Sequence, residues 1–388
     1  MNILVLGGGF GGIVAAYTLR NTLLSEHEVT LVNQSSDFYL RAAFPTMAFE
    51  GDIRPEDIRL RLDEVLPVRG INFRKARVTA IRPERNTVET NDGELRYDYL
   101  IIAMGTDFAK DNVPGLMEYC YSLWTVDEVQ RFWSRLRTFT GGSVVTGTAL
   151  GSPCEGPMWE ATMLMDRFAR QRGMRDRVEI HHFTPKALAL QPVGPAGVQW
   201  GKETFAKLGI HVHTSAEAVR VTPDRVVFRD GREIRYDIGL LVAPYIGHAV
   251  IVQAGLGDEN GFVLVDSKMR TRTFPNIFAV GDCVSVPARP KMAHNAMRGG
   301  VVAATNIAYE IMGKPAYWEH RNEIMCVINN GGGKGTYVRS DVPWGGNLSI
   351  VMGAHADTPG LTAEESYFIK KAFADYFLAN AGNVRFIM

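Results

Sequence analysis

Three groups of residues have the types and spacing to do chemistry. Gly7, Gly9 and Gly12 follow an apolar run at 2–6 and precede helical apolar spacing at 13–24, with a second apolar run at 28–32. In a strand–turn–helix–strand unit each glycine of GxGxxG has a task. The first permits the tight turn, the second lets the backbone approach a pyrophosphate, and the third seats the helix on the sheet. The pyrophosphate then lies at the helix N-terminus, beside Phe10, where free amides and the dipole favour an anion. The acidic residue usual at the end of the second strand is absent. That strand closes Leu31-Val32-Asn33, so Asn33 is expected to hold the ribose by its amide. The second group is Cys154 with Glu155, ahead of a helix expected at 156–172. There the helix dipole and free amides lower a thiol's pKa and favour the thiolate, and Glu155 is the nearest candidate for proton transfer. The third is Cys326, in the strand-like run Met325-Cys326-Val327-Ile328.

The elements that must position these groups alternate strand and helix. The segment 97–105 reads as a buried strand ending at Gly105, and 276–282 as another ending Gly281-Asp282. Between them lie strands expected at 142–147, 177–183, 210–213 and 238–244, helices at 156–172 and 198–208, and a hairpin around Pro223-Asp224. This pattern predicts an α/β chain of two Rossmann-like dinucleotide-binding domains plus a small C-terminal α+β region. The first domain is discontinuous, 1–105 with 265–313; the second covers 106–264, and the C-terminal region 314–388. In that last region Asn329-Asn330-Gly331-Gly332-Gly333 signals a hairpin, a third strand is expected at 347–352, and Thr362 caps a closing helix to 378.

Composition excludes several classes. With 388 residues, 46% of them hydrophobic, the chain can build large cores, and 42 basic residues balance 42 acidic ones. Zero net charge gives no pull toward nucleic acid. The four cysteines (Cys120, Cys154, Cys283 and Cys326) are too scattered for a disulfide scaffold or a zinc knuckle, and no metal is expected. His211 and His213 share a strand face without an expected partner cluster. No apolar run approaches membrane-helix length, and the N-terminus lacks the basic leader of a signal peptide.

The first unit, the strand end Ala103-Met104-Gly105 and the segment Phe278-Ala279-Val280-Gly281-Asp282 together resemble the two-dinucleotide-binding-domain flavoproteins of the glutathione-reductase type. The resemblance implies FAD, with Asp282 at the ribityl and pyrophosphate region. In the second domain the turn from Gly147 to Pro157 lacks GxGxxG, and no carboxylate follows at His181-His182-Phe183-Thr184, so an NAD site there is degenerate. The stretch Cys154-Glu155-Gly156-Pro157, continuing to Glu160, resembles the cysteine turn of the sulfide:quinone oxidoreductases. It is also similar to the flavoprotein subunit of flavocytochrome c sulfide dehydrogenase. The resemblance makes Cys326 the second redox cysteine, brings Pro45 near the isoalloxazine ring, and sends Lys291 toward the flavin pyrimidine and the quinone. Two features depart from it. Trp124 stands where many members have a third cysteine, with Cys120 earlier in the chain, and the histidines some members carry are absent around 192–197.

The chemistry so implied is oxidation of sulfide to polysulfide or sulfur. Sulfide attacks one sulfur of the pair, Cys154 carries the growing persulfide, and Cys326 passes two electrons to the flavin and on to a membrane quinone. Cys283 is expected to pack beside the flavin, and Cys120 to be inert. In the closing helix Ile369, Phe373, Tyr376 and Phe377 are expected on one apolar face, with Tyr376 and Phe377 in the quinone wall. That face predicts peripheral attachment to a membrane surface, the cytoplasmic side favoured, with a possible homo-oligomer. Two other activities remain open: a type II NADH:quinone oxidoreductase, and a non-catalytic flavin redox sensor or electron-transfer subunit with a cytochrome partner.

Overall fold

The computed structural model describes residues 1–152, 154–191, 194–286, 291–342, 352–355 and 362–384. A five-stranded sheet runs in the order Ile277–Ala279, Tyr99–Ile102, Asn2–Leu6, Glu28–Asn33, Asn72–Lys75, every pair parallel. Its central strand, NILVL, is buried from Ile3 to Leu6, as a strand covered on both faces must be. One strand comes from late in the chain, so two distant segments share one sheet. Their helices meet as closely. The helix Phe10–Thr22 crosses Ala293–Ile311 at two glycines, where a Cβ on Gly300 would lie 2.5 Å from the Gly11 carbonyl oxygen. Only hydrogen fits at that crossing.

A second parallel sheet runs His211–His213, Val178–Phe183, Gly142–Thr148, Ile238–Val242, with the helix Gly156–Gln171 leading out of its central strand. Three antiparallel strands at Ala218–Thr222, Arg225–Phe228 and Glu233–Arg235 flank it. A similar meander at Val78–Arg82, Thr87–Thr90 and Gly93–Arg96 belongs to the first half, and sequence patterning did not reveal it.

The C-terminal region is the hairpin Asn322–Gly331 and Lys334–Val342, with Met352–His355 as a third strand. Gly332 and Gly333 turn the hairpin at φ +68 and +71, a left-handed conformation that glycine takes without strain. The strand expected at 347–352 falls mostly on 343–351, outside the described residues. Thr362 caps the helix Ala363–Ala379 as its sequence predicts: the Glu365 amide donates to Thr362 Oγ1 at 3.2 Å, and the Thr362 amide to Glu365 Oε2 at 2.7 Å. That helix lies on the hairpin so closely that a Cβ on Gly335 would sit 3.0 Å from the Tyr367 amide. No helix among the described residues is long and apolar enough to cross a membrane.

Candidate active site

The glycine turn forms a cradle. Gly7 has φ +107, and a Cβ there would collide with the Ala103 carbonyl; one on Gly12 would collide with the carbonyl of Gly7. Gly9 faces open space, with nothing within 4 Å of its would-be Cβ. The helix Phe10–Thr22 begins with no side-chain cap and no acidic residue in its first turn. An exposed backbone approach and unclaimed helix amides are what a pyrophosphate requires, so the residues present fit FAD. Gly105 and Gly281 turn the chain at the edge of the cradle, with φ +70 and +78.

Asn33 has a different task from the one expected. Its Oδ1 accepts from the Gly8 amide at 2.9 Å, and its Nδ2 donates to the Ser35 carbonyl at 2.8 Å. Both ends of the amide are engaged in tying the glycine turn to the strand end, so Asn33 shapes the cradle.

Asp282 is the hub of the site. It lies in the turn Gly281–Cys283 after the strand Ile277–Ala279, and its charge is felt by Arg41, Cys154 and Tyr245. Lys291 bridges this turn, donating to the carbonyls of Asp282 and Val284, with its ammonium 3.9 Å from the centre of the Phe262 ring. Pro45 is buried in the first turn of the helix Phe44–Glu50.

Cys326, far from Cys154 in sequence, comes close enough for its charge to be felt at the Cys154 sulfur. The expected thiolate is corrected. The Gly156 amide does bond the Cys154 sulfur and favours ionisation, but burial and Cys326 oppose it and push the thiol up to about 12. Burial likewise pushes Cys326 up to about 11. Desolvation outweighs the helix end, and at neutral pH both are neutral thiols.

Glu155 turns away from the thiols. Its Oε1 accepts from Thr184 Oγ1 at 2.9 Å and pairs with Lys186 at 3.0 Å, while Oε2 takes the Leu190 amide at 3.4 Å. This carboxylate latches the segment after the strand Val178–Phe183 onto the start of the helix Gly156–Gln171. It therefore fills the place where a dinucleotide domain receives a phosphate. A Cβ on Gly147 would lie 2.6 Å from the Phe183 ring, so that ring packs directly on the turn.

Two constellations escaped sequence reasoning. Glu160, buried in the same helix, takes Lys370 Nζ at 2.6 Å on both carboxylate oxygens, and the Asn329 amide donates to its Oε2 at 3.2 Å. Asn329 Nδ2 in turn donates to Thr46 Oγ1 at 3.0 Å. On the other side, Trp124, Phe108 and Tyr245 form a three-ring cluster with centroids 5.1 to 5.5 Å apart, and the Arg41 guanidinium lies 4.7 Å over the Trp124 ring. Burial, Asp282 and Cys154 raise the Tyr245 phenol, against Arg41. The position without a third cysteine is thus filled by an aromatic wall under a cation. Neither signal was available to pattern reading, because each joins elements remote in sequence.

The closing helix faces differently from expectation. Phe377 is fully buried, against Phe10 and Phe38 at centroid distances of 5.2 and 5.4 Å, and Phe373 packs on the core beside it. Tyr376 is 40% exposed and Phe368 67% exposed. Phe377 thus points into the core and Tyr376 outward, so the two do not line one wall. The outer apolar pair is Phe368 and Tyr376.

Cys283 is buried, donating to the carbonyls of Val280 at 3.1 Å and Ile102 at 3.3 Å. Cys120 donates to the Tyr236 hydroxyl at 3.6 Å. The histidines on the strand His211–His213 do have a cluster, contrary to expectation. His181 Nδ1 lies 3.1 Å from His213 Nε2, the His181 and His211 rings stack at 5.1 Å, and Glu179 pairs with both of those rings. Among the described residues no three such groups are arranged to hold a metal.

Known proteins are similar to this chain in sequence and fold. A sulfide-quinone reductase of Aquifex aeolicus (strain VF5) is 27% identical over 98% of this chain and 91% of its own length. The X-ray structure of the sulfide:quinone oxidoreductase from Aquifex aeolicus superposes with a TM-score of 0.87 at 25% identity, covering 98% of this chain and 92% of that one. A type II NADH:quinone oxidoreductase of Staphylococcus aureus is 23% identical over 79% of this chain and 81% of its own length. Residues 1–300 match the family described as pyridine nucleotide-disulphide oxidoreductase. The chain belongs to that family and is an FAD-dependent oxidoreductase.

Proposed function

We propose that this protein oxidises sulfide and delivers the electrons through FAD to a membrane quinone. The observation that carries the reading is the approach of Cys326 to Cys154, which also feels the charge of Asp282: two half-buried cysteines brought together from distant parts of the chain. FAD supplies the two-electron acceptor. The sulfurs do the rest. Desolvation at the two sulfurs disfavours thiolate but accommodates a neutral disulfide, so the oxidised pair is the form suited to receive substrate. Attack of HS⁻ on the Cys154 sulfur breaks the S–S bond, leaves a persulfide on Cys154 and releases Cys326 as a thiolate holding the electron pair. The Tyr245 phenol feels the charge of Cys154, and Trp124 packs on the Tyr245 ring; the product of this chemistry is polysulfide or sulfur.

The second domain argues against NADH as donor, because Glu155 presents a carboxylate where a pyrophosphate would bind and Phe183 packs on the turn. Attachment to a membrane surface is assigned to Phe368 and Tyr376 on the outer side of the last helix, within reach of a quinone dissolved in the bilayer.

Anaerobic stopped-flow reduction of the bound flavin is the test. Rapid bleaching by sulfide and none by NADH is the expected result. Bleaching by NADH alone overturns the reading in favour of a type II NADH:quinone oxidoreductase. Failure to turn over a soluble quinone after sulfide reduction points instead to an electron-transfer subunit.

A further inference from the structure

We propose that the aromatic patch on the segment after the helix Ala293–Ile311 is a contact surface for a second copy of this chain. The inference goes beyond the proposed reaction and holds whichever electron donor the flavin uses.

Residues 312–320 have no regular secondary structure, yet side chains and backbone pin them. Asn306, fully buried in the helix, holds both backbone groups of Trp318. Its Nδ2 donates to the Trp318 carbonyl at 2.9 Å, and the Trp318 amide donates to its Oδ1 at 3.1 Å. On either side, Lys268 Nζ donates to the Ala316 carbonyl at 2.8 Å, and the His320 amide to the Ser267 carbonyl at 2.7 Å. The backbone is thus fastened to the core while the rings are left outside. Tyr317 is 60% exposed, and Trp318 and Met312 are each 42% exposed. The rings pack on one another: Tyr317 stacks on Trp318 at 6.0 Å and meets the edge of Tyr309 at 5.7 Å. A partner would meet rings already fixed in place, so little conformational freedom is lost on contact. Tryptophan and tyrosine are the residues that dominate binding at the centre of protein interfaces.

Charge selects the partner. Lys314 and Glu319 flank Tyr317 and Trp318 in the chain, both are exposed, and neither forms an ion pair among the described residues. The patch therefore carries one charge of each sign around an apolar centre. In a two-fold contact residue i meets j and j meets i, so Lys314 of each copy meets Glu319 of the other. The chain as a whole adds no repulsion, with 42 basic and 42 acidic residues. An anionic membrane surface is a poorer match, because it repels Glu319. A standard interface covers about 800 Å² on each partner, more than these rings supply, so the dimer is weak and concentration-dependent.

The test is sedimentation velocity of the FAD-loaded protein over a rising concentration series, in which the wild type is expected to pass from monomer to dimer. Tyr317→Ser with Trp318→Ser is expected to weaken that dimer about tenfold or more. Both side chains are exposed, so FAD content and circular dichroism should match the wild type. Lys314→Glu and Glu319→Lys should each weaken the dimer, because each variant sets like charges against one another across the contact. Mixing these two single variants should restore association, since every facing pair is then of opposite sign. Neither a lipid surface nor an unrelated protein produces that recovery. If the ring variant fails to fold, the two charge variants and their mixture carry the test alone. A wild type that stays monomeric at every concentration overturns the inference, as does a dimer indifferent to the ring and charge variants. A mixture that fails to recover overturns it too. Loss of vesicle flotation in the ring variant, with no self-association in the wild type, would assign the patch to lipid instead. The assay uses no sulfide, so its outcome leaves the proposed function to be judged by flavin reduction.

Discussion

The ring of Phe377, from the last helix, lies 5.2 Å from that of Phe10, the residue inside the glycine turn of the FAD cradle. Phe38 completes the cluster at 5.1 Å from Phe10. The C-terminal helix is thereby anchored on the cofactor site itself.

Truncating that anchor has a predictable cost. Phe377→Ala should destabilise the protein by about 3–5 kcal/mol, measured by denaturant unfolding, and lower FAD retention through loss of support for Phe10. The exposed neighbour behaves oppositely. Tyr376→Ser with Phe368→Ser should leave stability within about 1 kcal/mol and reduce liposome binding in a flotation assay. Unchanged flotation would remove these two residues as the membrane contact.

Gly12→Ala tests the cradle. Its Cβ would collide with the Gly7 carbonyl, so the turn must open and the helix must lift. The purified variant is expected to carry little flavin, read from the ratio of flavin to protein absorbance.

Cys154→Ser and Cys326→Ser should each slow flavin reduction by sulfide roughly a thousandfold or more while keeping FAD bound, because serine cannot form the sulfur–sulfur bond. Cys120→Ser, at a thiol held by Tyr236 away from the site, should change the rate less than about threefold.

His182 gives the protein an acid-sensitive element. Its Nδ1 lies 2.9 Å from Thr146 Oγ1 and 3.1 Å from Thr162 Oγ1, and burial, with His213 adding, lowers its pKa to about 3. A free histidine takes its proton near pH 6.5. The unfolded chain therefore binds a proton below about 6.5 that the folded chain refuses until about 3, and stability falls as pH drops through that window. His182→Leu should flatten the acid limb of a melting-temperature profile. At neutral pH it should cost about 1–3 kcal/mol for the lost hydrogen bonds.

Much of the fold was legible because its signals are local. Gly7, Gly9 and Gly12 sit inside one strand–helix unit, Gly332-Gly333 inside one hairpin, and Thr362 with Glu365 inside one helical turn. What stayed hidden depends on pairings between distant segments. Nothing near Glu160 announces Lys370, and Arg41 gives no sign of Trp124. The closing helix shows the same limit. Its apolar spacing is real, but the choice of Phe377 for the core and Phe368 for the outside is made by the first-domain rings it meets. Asn33 and Cys154 illustrate a second limit. The residue types were read correctly, but hydrogen bonds within the turn claimed the asparagine, and burial overrode the helix dipole at the thiol.

The shared first sheet has a consequence for how the protein is made. The strand Ile277–Ala279 must slot beside Tyr99–Ile102, and the helix Ala293–Ile311 must close on Gly11, before the flavin cradle is whole. During synthesis from the N-terminus, the first strands and their glycine turn emerge long before these elements. The second sheet, whose strands all lie between Gly142 and Val242, can assemble while they wait. FAD capture is thus a late event on the ribosome or after release. A chain stalled before residue 293 would hold the fingerprint of the cofactor site without the means to bind it.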